Sequence, residues 1–427
     1  MIMKQKDSYL NDLKQFLDSS PTAWHATQNI ENKLKQCGYK QIDEKKPWDL
    51  KGHKFFVKRN NSSIIAFNLP KQKPNTIHLV ASHTDSPALK LKPNSEFRRA
   101  NELGLSVEIY GSPLLSSWLN RDLGIAGQVI IQKGSSFEPK LLNYTKHPLI
   151  IPQLAIHLDR NVNENGLVLN KQEHLNALAA INFPENSSYL ETVFKECFFE
   201  ETVIAHDLFL YPLQKSSLIG YNNSLISSYR IDNLLSAFAS LEALIELDST
   251  NNTLQMAVFW DHEEVGSNTY QGASSPFFEH TLERILSHYQ ASRDTLLELI
   301  PNSMCLSVDL AHGFHLNHAE KLEAQHKCLL GNGIVIKTNA QQRYATNALG
   351  IANILNLCQK NSIPYQLYAN RNDIPCGSTV GPIHATQIGM PTVDIGLAQL
   401  SMHSAREVAS CEDYLHLKNL LINFYKI

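Results

Sequence analysis

The 427-residue chain has no CxxC pair among its seven cysteines, which are spread from Cys37 to Cys411. An odd, scattered set excludes a disulfide framework and a thiolate zinc site, and reads as buried reduced thiols. No run approaches about 18 apolar residues, so no membrane-spanning helix is expected. No long basic tract accompanies the formal net charge of -3, which argues against a phosphate-tracking surface and hence against nucleic acid as a partner. The segment from Met1 to Leu17 lacks the apolar core of a signal peptide. It alternates Lys, Asp and apolar residues at helical spacing, so a structural helix and a cytoplasmic protein are expected. Internal repeats are missing too, and so is HExxH, since Gly266 stands four residues after His262.

What is present fits a globular protein, with 43% hydrophobic and 19% charged residues. The length exceeds what one core usually supports, so two domains are expected. Apolar runs mark buried strands at Thr76 to Ser82, Thr253 to Trp260 and Ser303 to Leu310, and further strands are expected at Tyr365 to Ala369 and Pro391 to Leu397. Helical spacing marks Ile231 to Leu247 and Ala345 to Gln359. This alternation predicts a three-layer α/β domain around a largely parallel sheet. Between Pro93 and Ser228 the texture changes to short alternating segments (Ser106 to Tyr110, Ile125 to Gln132, Lys140 to Asn143, Gly166 to Asn170) broken by Gly, Pro, Asn and Ser. That texture predicts an inserted antiparallel β module. The expected organisation is a catalytic α/β domain in two parts, 1–93 and 229–427, with a β-rich insertion at 94–228.

The 18 histidines matter where they stand beside acids at strand ends. Ligands of open α/β sheets collect at the carboxyl ends of strands. There the sequence places His83 and Asp85, Glu263 and Glu264, Asp309, and His403, with Asp232 at a helix start. So many anions in one place would strongly disfavour joint ionisation unless cations intervene. Two imidazoles with three carboxylates suit zinc or a similar first-row metal, and one carboxylate can bridge two ions. In an extended segment residues two apart share a side, so Asp85 can orient His83. Glu263 and Glu264, as neighbours in extended chain, are expected to face opposite ways, one for metal and one for proton transfer. Each position alone has an ordinary explanation: a capped turn, an exposed acidic turn, a helix N-terminus. The constellation carries the reading.

The sequence resembles the aspartyl aminopeptidases, dinuclear metallopeptidases of a broad zinc-peptidase superfamily. The matching segments are SPTAWHA (Ser20 to Ala26), ASHTDSPALKLKP (Ala81 to Pro93), LAIHLDR (Leu154 to Arg160), RIDN (Arg230 to Asn233), DHEEVGS (Asp261 to Ser267), SVDLAHG (Ser307 to Gly313), QRYATN (Gln342 to Asn347), RNDIPCGSTVGPI (Arg371 to Ile383) and MHSARE (Met402 to Glu407). They run in order over nearly the whole chain. The resemblance implies a three-layer αβα zinc-peptidase-like domain with an inserted oligomerisation domain. It further implies two divalent ions, zinc first, with manganese or cobalt as alternatives at one site. Asp232 would bridge them, His83 and Asp309 would complete one site, and Glu264 and His403 the other. Glu263 would be the general base acting on a metal-activated water, and Asp85 the partner of His83. His157 would reach a neighbouring subunit's active site within a homo-oligomer built from dimers, up to a dodecamer. Lys337 would meet the acidic side chain of the first residue, with His157 and Met402 also facing substrate. The substrates would be peptides with N-terminal Asp or Glu.

Rival readings are an aminopeptidase of neutral specificity, a carboxypeptidase, deacylase or phosphoesterase on the same metals, and a non-enzymatic assembly protein. A carboxypeptidase would act on N-blocked peptides, and a structural metal site has no use for an uncoordinated Glu263.

Overall fold

The computed structural model describes residues 2–199, 201–248 and 250–427, with side chains from Ser8 onward. The chain divides into two compact units: Met1–Asp85, Ser216–Met402 and Glu407–Ile427 form one, and Ser86–Lys215 with His403–Arg406 the other.

The larger unit is built on a 13-stranded sheet. At its centre, Thr253–Trp260, Thr76–His83, Met304–Val308 and Thr392–Leu400 lie side by side and parallel. Successive residues of these strands serve opposite faces, as the two-residue period requires. Val80, Ala257 and Phe259 join one apolar core, while Leu79, Ala81, Met256 and Val258 join the other. Burial on both faces explains why these strands read as unbroken apolar runs. Helices Ala23–Gln36, Ile231–Ile245, Ala348–Lys360 and Cys411–Phe424 contribute to the first core, and Phe277–His288 and Arg293–Leu299 to the second. The three-layer αβα architecture expected from the sequence is present. Ile231–Ile245 is buried from Ile231 through Leu244, which is why its apolar pattern runs all round.

The sheet is more mixed than expected. The outer strands pair antiparallel: Ser63–Asn68 with Lys54–Arg59 and Thr253–Trp260, and Glu407–Ser410 with Thr392–Leu400 and Leu225–Ser228. The smaller unit carries a six-stranded sheet whose recorded pairings are all antiparallel, in keeping with its interrupted, alternating texture. It begins at Ser86 and ends at Lys215, both earlier than the expected 94 and 228. Ser217–Ile219 and Leu225–Ser228 alternate like insertion strands but pair into the large sheet. Gly166 to Asn170 is loop instead of strand.

One glycine ties packing to the ligand positions. A Cβ on Gly396 would lie 1.8 Å from the Asp309 carbonyl oxygen, which is backbone and cannot rotate away. Gly396→Ala is expected to lower stability by about 1–3 kcal/mol through overpacking and to weaken metal binding with it. A denaturant midpoint and a metal titration on one preparation check both effects.

Candidate metal centre and active site

His83 ends its strand opposite Trp260 in parallel register, and the turn after it is held from several sides. The Thr84 N–H and Oγ1 donate to the Trp260 carbonyl at 2.7 and 3.1 Å, and Thr84 Oγ1 also donates to the Ser62 carbonyl at 2.9 Å. Thr27 of the helix Ala23–Gln36 donates to the same carbonyl at 2.8 Å. The His83 Nδ1 lies 3.1 Å from the Asp85 carbonyl oxygen, which can only accept. The Nδ1 therefore carries a proton, which leaves Nε2 as the nitrogen a metal could take. Burial lowers the imidazole's pKa, but the surrounding carboxylates outweigh it and hold it well above its ordinary value.

That Nε2 faces carboxylates: Asp232 Oδ1 at 3.5 Å, Asp309 Oδ1 at 3.7 Å and Glu263 Oε2 at 3.9 Å. One ligand atom each from His83, Asp232 and Glu264 lie within 4.8 Å of one another. Asp232 is set by the helix start, where Arg230 is left-handed (φ 63°) and the Asp232 N–H donates to buried Glu407 at 3.0 Å. Arg230 itself donates to the Thr84 carbonyl, and the Asn233 amide to the Val308 carbonyl at 2.8 Å.

Glu263 and Glu264 are not in extended chain, which corrects the alternation argument. His262 turns left-handed (φ 65°) and Glu263–Val265 form a single 3₁₀ turn closed by Gly266 at φ 95°. The Asp85 carboxylate accepts both of the turn's leading N–H groups, from Glu263 at 3.2 Å and Glu264 at 3.1 Å. Its Oδ1 also lies 3.4 Å from His83 Nδ1. Asp85 therefore fixes the two glutamates as well as lying beside the imidazole.

The electrostatics reflect crowding. Burial pushes Glu263 up to about 8; His83 opposes this, while Asp309, Asp85 and Asp232 reinforce it. For Asp309, burial acts upward but Lys337 and then His83 outweigh it, holding the carboxyl far below its usual range. Burial and the neighbouring Asp85 raise Asp261. A buried, anion-rich set of carboxylates around one neutral-capable imidazole has the donor chemistry of a zinc site.

Lys337 lies on Ile334–Thr338, is 1% exposed, and donates from Nζ to the Leu310 carbonyl at 3.1 Å beneath the Tyr344 ring. Met402 is half-buried and packs on the first core. His403 belongs to the smaller unit, where its Nδ1 lies 3.1 Å from the Ser112 carbonyl. His157 is exposed in a turn of that unit, among exposed Leu154, Ile156 and Leu158. The sequence reading missed Glu407, which lies in a quoted motif, and Asp394, a fully buried acid inside an apolar strand.

A family model described as "Aminopeptidase I zinc metalloprotease (M18)" matches residues 16–425. The chain belongs to the M18 aminopeptidase family. It is therefore a metallo-aminopeptidase, a hydrolase, of the family that includes the aspartyl aminopeptidases. It is 41% identical over 430 residues to a probable M18 family aminopeptidase 2 of Pseudomonas putida, covering 99% of each chain. Among solved M18 structures, the Ape4 chain of an Ape4–Nbr1 complex is similar with a TM-score of 0.94, 32% identity, and coverage of 99% of this chain and 86% of that one. Yeast aminopeptidase 1 gives 0.86 and 27%, covering 99% and 97%. No described helix is long and apolar enough to cross a membrane.

Proposed function

We propose that this M18 chain removes the N-terminal residue of peptides, Asp or Glu in preference, at a centre of two zinc ions. The observation that carries the reading is the convergence of Asp232, Asp309 and Glu263 on His83 Nε2 within 3.9 Å, with Glu264 beside them. Asp232 would lie between the ions, with His83 and Asp309 on one and Glu264 and His403 on the other. His403 supports its role chemically: the Ser112 carbonyl claims Nδ1, leaving Nε2 as the lone-pair nitrogen.

When bound, the ions supply Lewis acidity and an acidified water. Glu263 takes the proton of the attacking water at its carboxylate and delivers it to the departing amine. Burial and the neighbouring carboxylates raise Glu263, and the positive charge of bound ions would hold it in the carboxylate form that can accept a proton. Asp85 holds Glu263 and His83 in place through the turn's N–H groups and its position beside Nδ1. His157, exposed on the smaller unit, would serve a neighbouring copy in a homo-oligomer; a solved relative is described as a dodecamer.

Acidic preference rests on Lys337 as a buried cation close to Asp309. One observation favours neutral substrates instead: the Lys337 ammonium is already held by the Leu310 carbonyl and the Tyr344 ring. Hydrolysis of Asp-, Glu- and Leu-linked reporters by the zinc-loaded protein decides between them. Lys337→Ala is expected to lose Asp-reporter kcat/KM by about 100-fold while changing the Leu reporter little, the cost of an unanswered buried charge. An unchanged Asp-to-Leu ratio would remove Lys337 from specificity.

A further inference from the structure

The strand Thr392–Leu400 carries an acid that the reaction does not use. Asp394 is fully buried, and its hydrogen bonds all run to segments flanking Lys337. Its Oδ1 accepts from Thr379 Oγ1 at 2.5 Å and its Oδ2 from the Ala345 N–H at 2.6 Å, while its own N–H donates to Thr346 Oγ1 at 2.8 Å. Gly381 is glycine for the same reason, because a Cβ there would lie 2.4 Å from both carboxylate oxygens. The loops so tied are Gln342 to Asn347 and Arg371 to Ile383. Between them opens a cavity of about 690 Å³ lined by Thr338, Asn339, Thr346, Asn370, Arg371 and Cys376. Tyr344, in the first of these loops, has its ring 5.1 Å from the Lys337 ammonium.

We infer that Asp394 is a positioning residue for substrate selection, knotting both loops to the sheet so that the wall around Lys337 keeps one shape. Burial raises the Asp394 carboxyl, and Lys337 and the hydrogen bonds from Thr379 and Ala345 act against that. Lys337 acts electrostatically on Asp394 and on Asp309 alike, lowering both. A buried carboxylate is costly to hold and persists only where its hydrogen bonds are satisfied. Without the knot the loops are expected to sample several arrangements, and substrate must select the one that fits.

The inference rests on the reading that Lys337 meets the substrate's first side chain, and its test separates the two. Lys337→Ala tests the reading through the Asp-to-Leu ratio. Asp394→Asn tests the knot, because the amide oxygen can face the Ala345 N–H while the amide nitrogen donates to Thr379 Oγ1. Both partners are kept, with the bond to Thr379 reversed in direction, and the charge is lost. Asp394→Ala and Thr379→Val remove bonds. Steady-state kinetics on the preferred reporter, with zinc content measured alongside, should show Asp394→Ala raising KM about tenfold with kcat nearly unchanged. Thr379→Val should raise KM by a few-fold, Asp394→Asn should stay near native, and zinc content should hold throughout. A native KM for Thr379→Val, or an Asp394→Asn as impaired as the alanine variant, would overturn the inference. If Asp394→Ala does not fold, the other two variants decide alone.

Discussion

Glu263→Gln is expected to bind its full complement of zinc and to hydrolyse aminoacyl reporters about a thousandfold more slowly, the scale of a lost general base. The geometry supports a clean separation of binding from chemistry. The glutamate's position is set through its backbone N–H, which Asp85 accepts at 3.2 Å, so exchange of the side-chain end leaves the turn in place. Glutamine preserves shape and removes the carboxylate proposed to take and return a proton. Because the change acts on the transition state, kcat should fall with KM little altered. A glutamine variant that holds zinc and works at the native rate would remove Glu263 from the reaction.

Asp232→Asn should act earlier, on metal binding itself. Its side chain lies 3.5 Å from His83 Nε2 and shares a 4.8 Å cluster with Glu264. An amide offers one weaker acceptor where a carboxylate offers two charged oxygens. Replacing a group that merely supports a ligand commonly lowers affinity by about 10–100-fold, so a residue proposed as a ligand common to two ions should exceed that range. The backbone support is independent of the side chain, since the Asp232 N–H bonds Glu407. The variant is therefore expected to keep its circular dichroism spectrum while losing zinc to a chelator that native protein resists. Retained zinc at native affinity would take Asp232 out of the centre.

Much of the fold was legible because buried parallel strands leave unmistakable apolar runs: Thr253–Trp260 carries the expected boundaries, and so does the largely exposed strand Tyr365–Ala369. Long helices were legible where periodicity was strong, although Ala348–Lys360 begins later than expected, at the side-chain cap supplied by Asn347. Strand direction and partner choice were not legible. Ser217–Ile219 and Leu225–Ser228 alternate like the insertion, and only long-range pairing shows them to be edge strands of the large sheet.

The site was legible in part. Asp232, Asp309 and Glu263 lie within 3.9 Å of His83 Nε2, with Glu264 in one cluster with His83 and Asp232, a proximity that strand-end logic anticipated; the roles given to them are proposals. The division of labour between Glu263 and Glu264 was argued from the wrong backbone, because one left-handed residue at His262 turns strand into 3₁₀ helix and leaves no apolar signature. Glu407 and Asp394 went unnoticed because support of a neighbour's backbone has no spacing rule. An acid within an otherwise apolar strand, as in Thr392–Leu400, is the signal that could have found Asp394.

The measurement that tests the central claim most directly is a zinc titration of stripped protein, following bound metal and reporter hydrolysis together. The two-metal account predicts two ions per chain, with activity reaching its plateau only as the second is taken up. Full activity at one ion per chain, with no second ion bound, would contradict it.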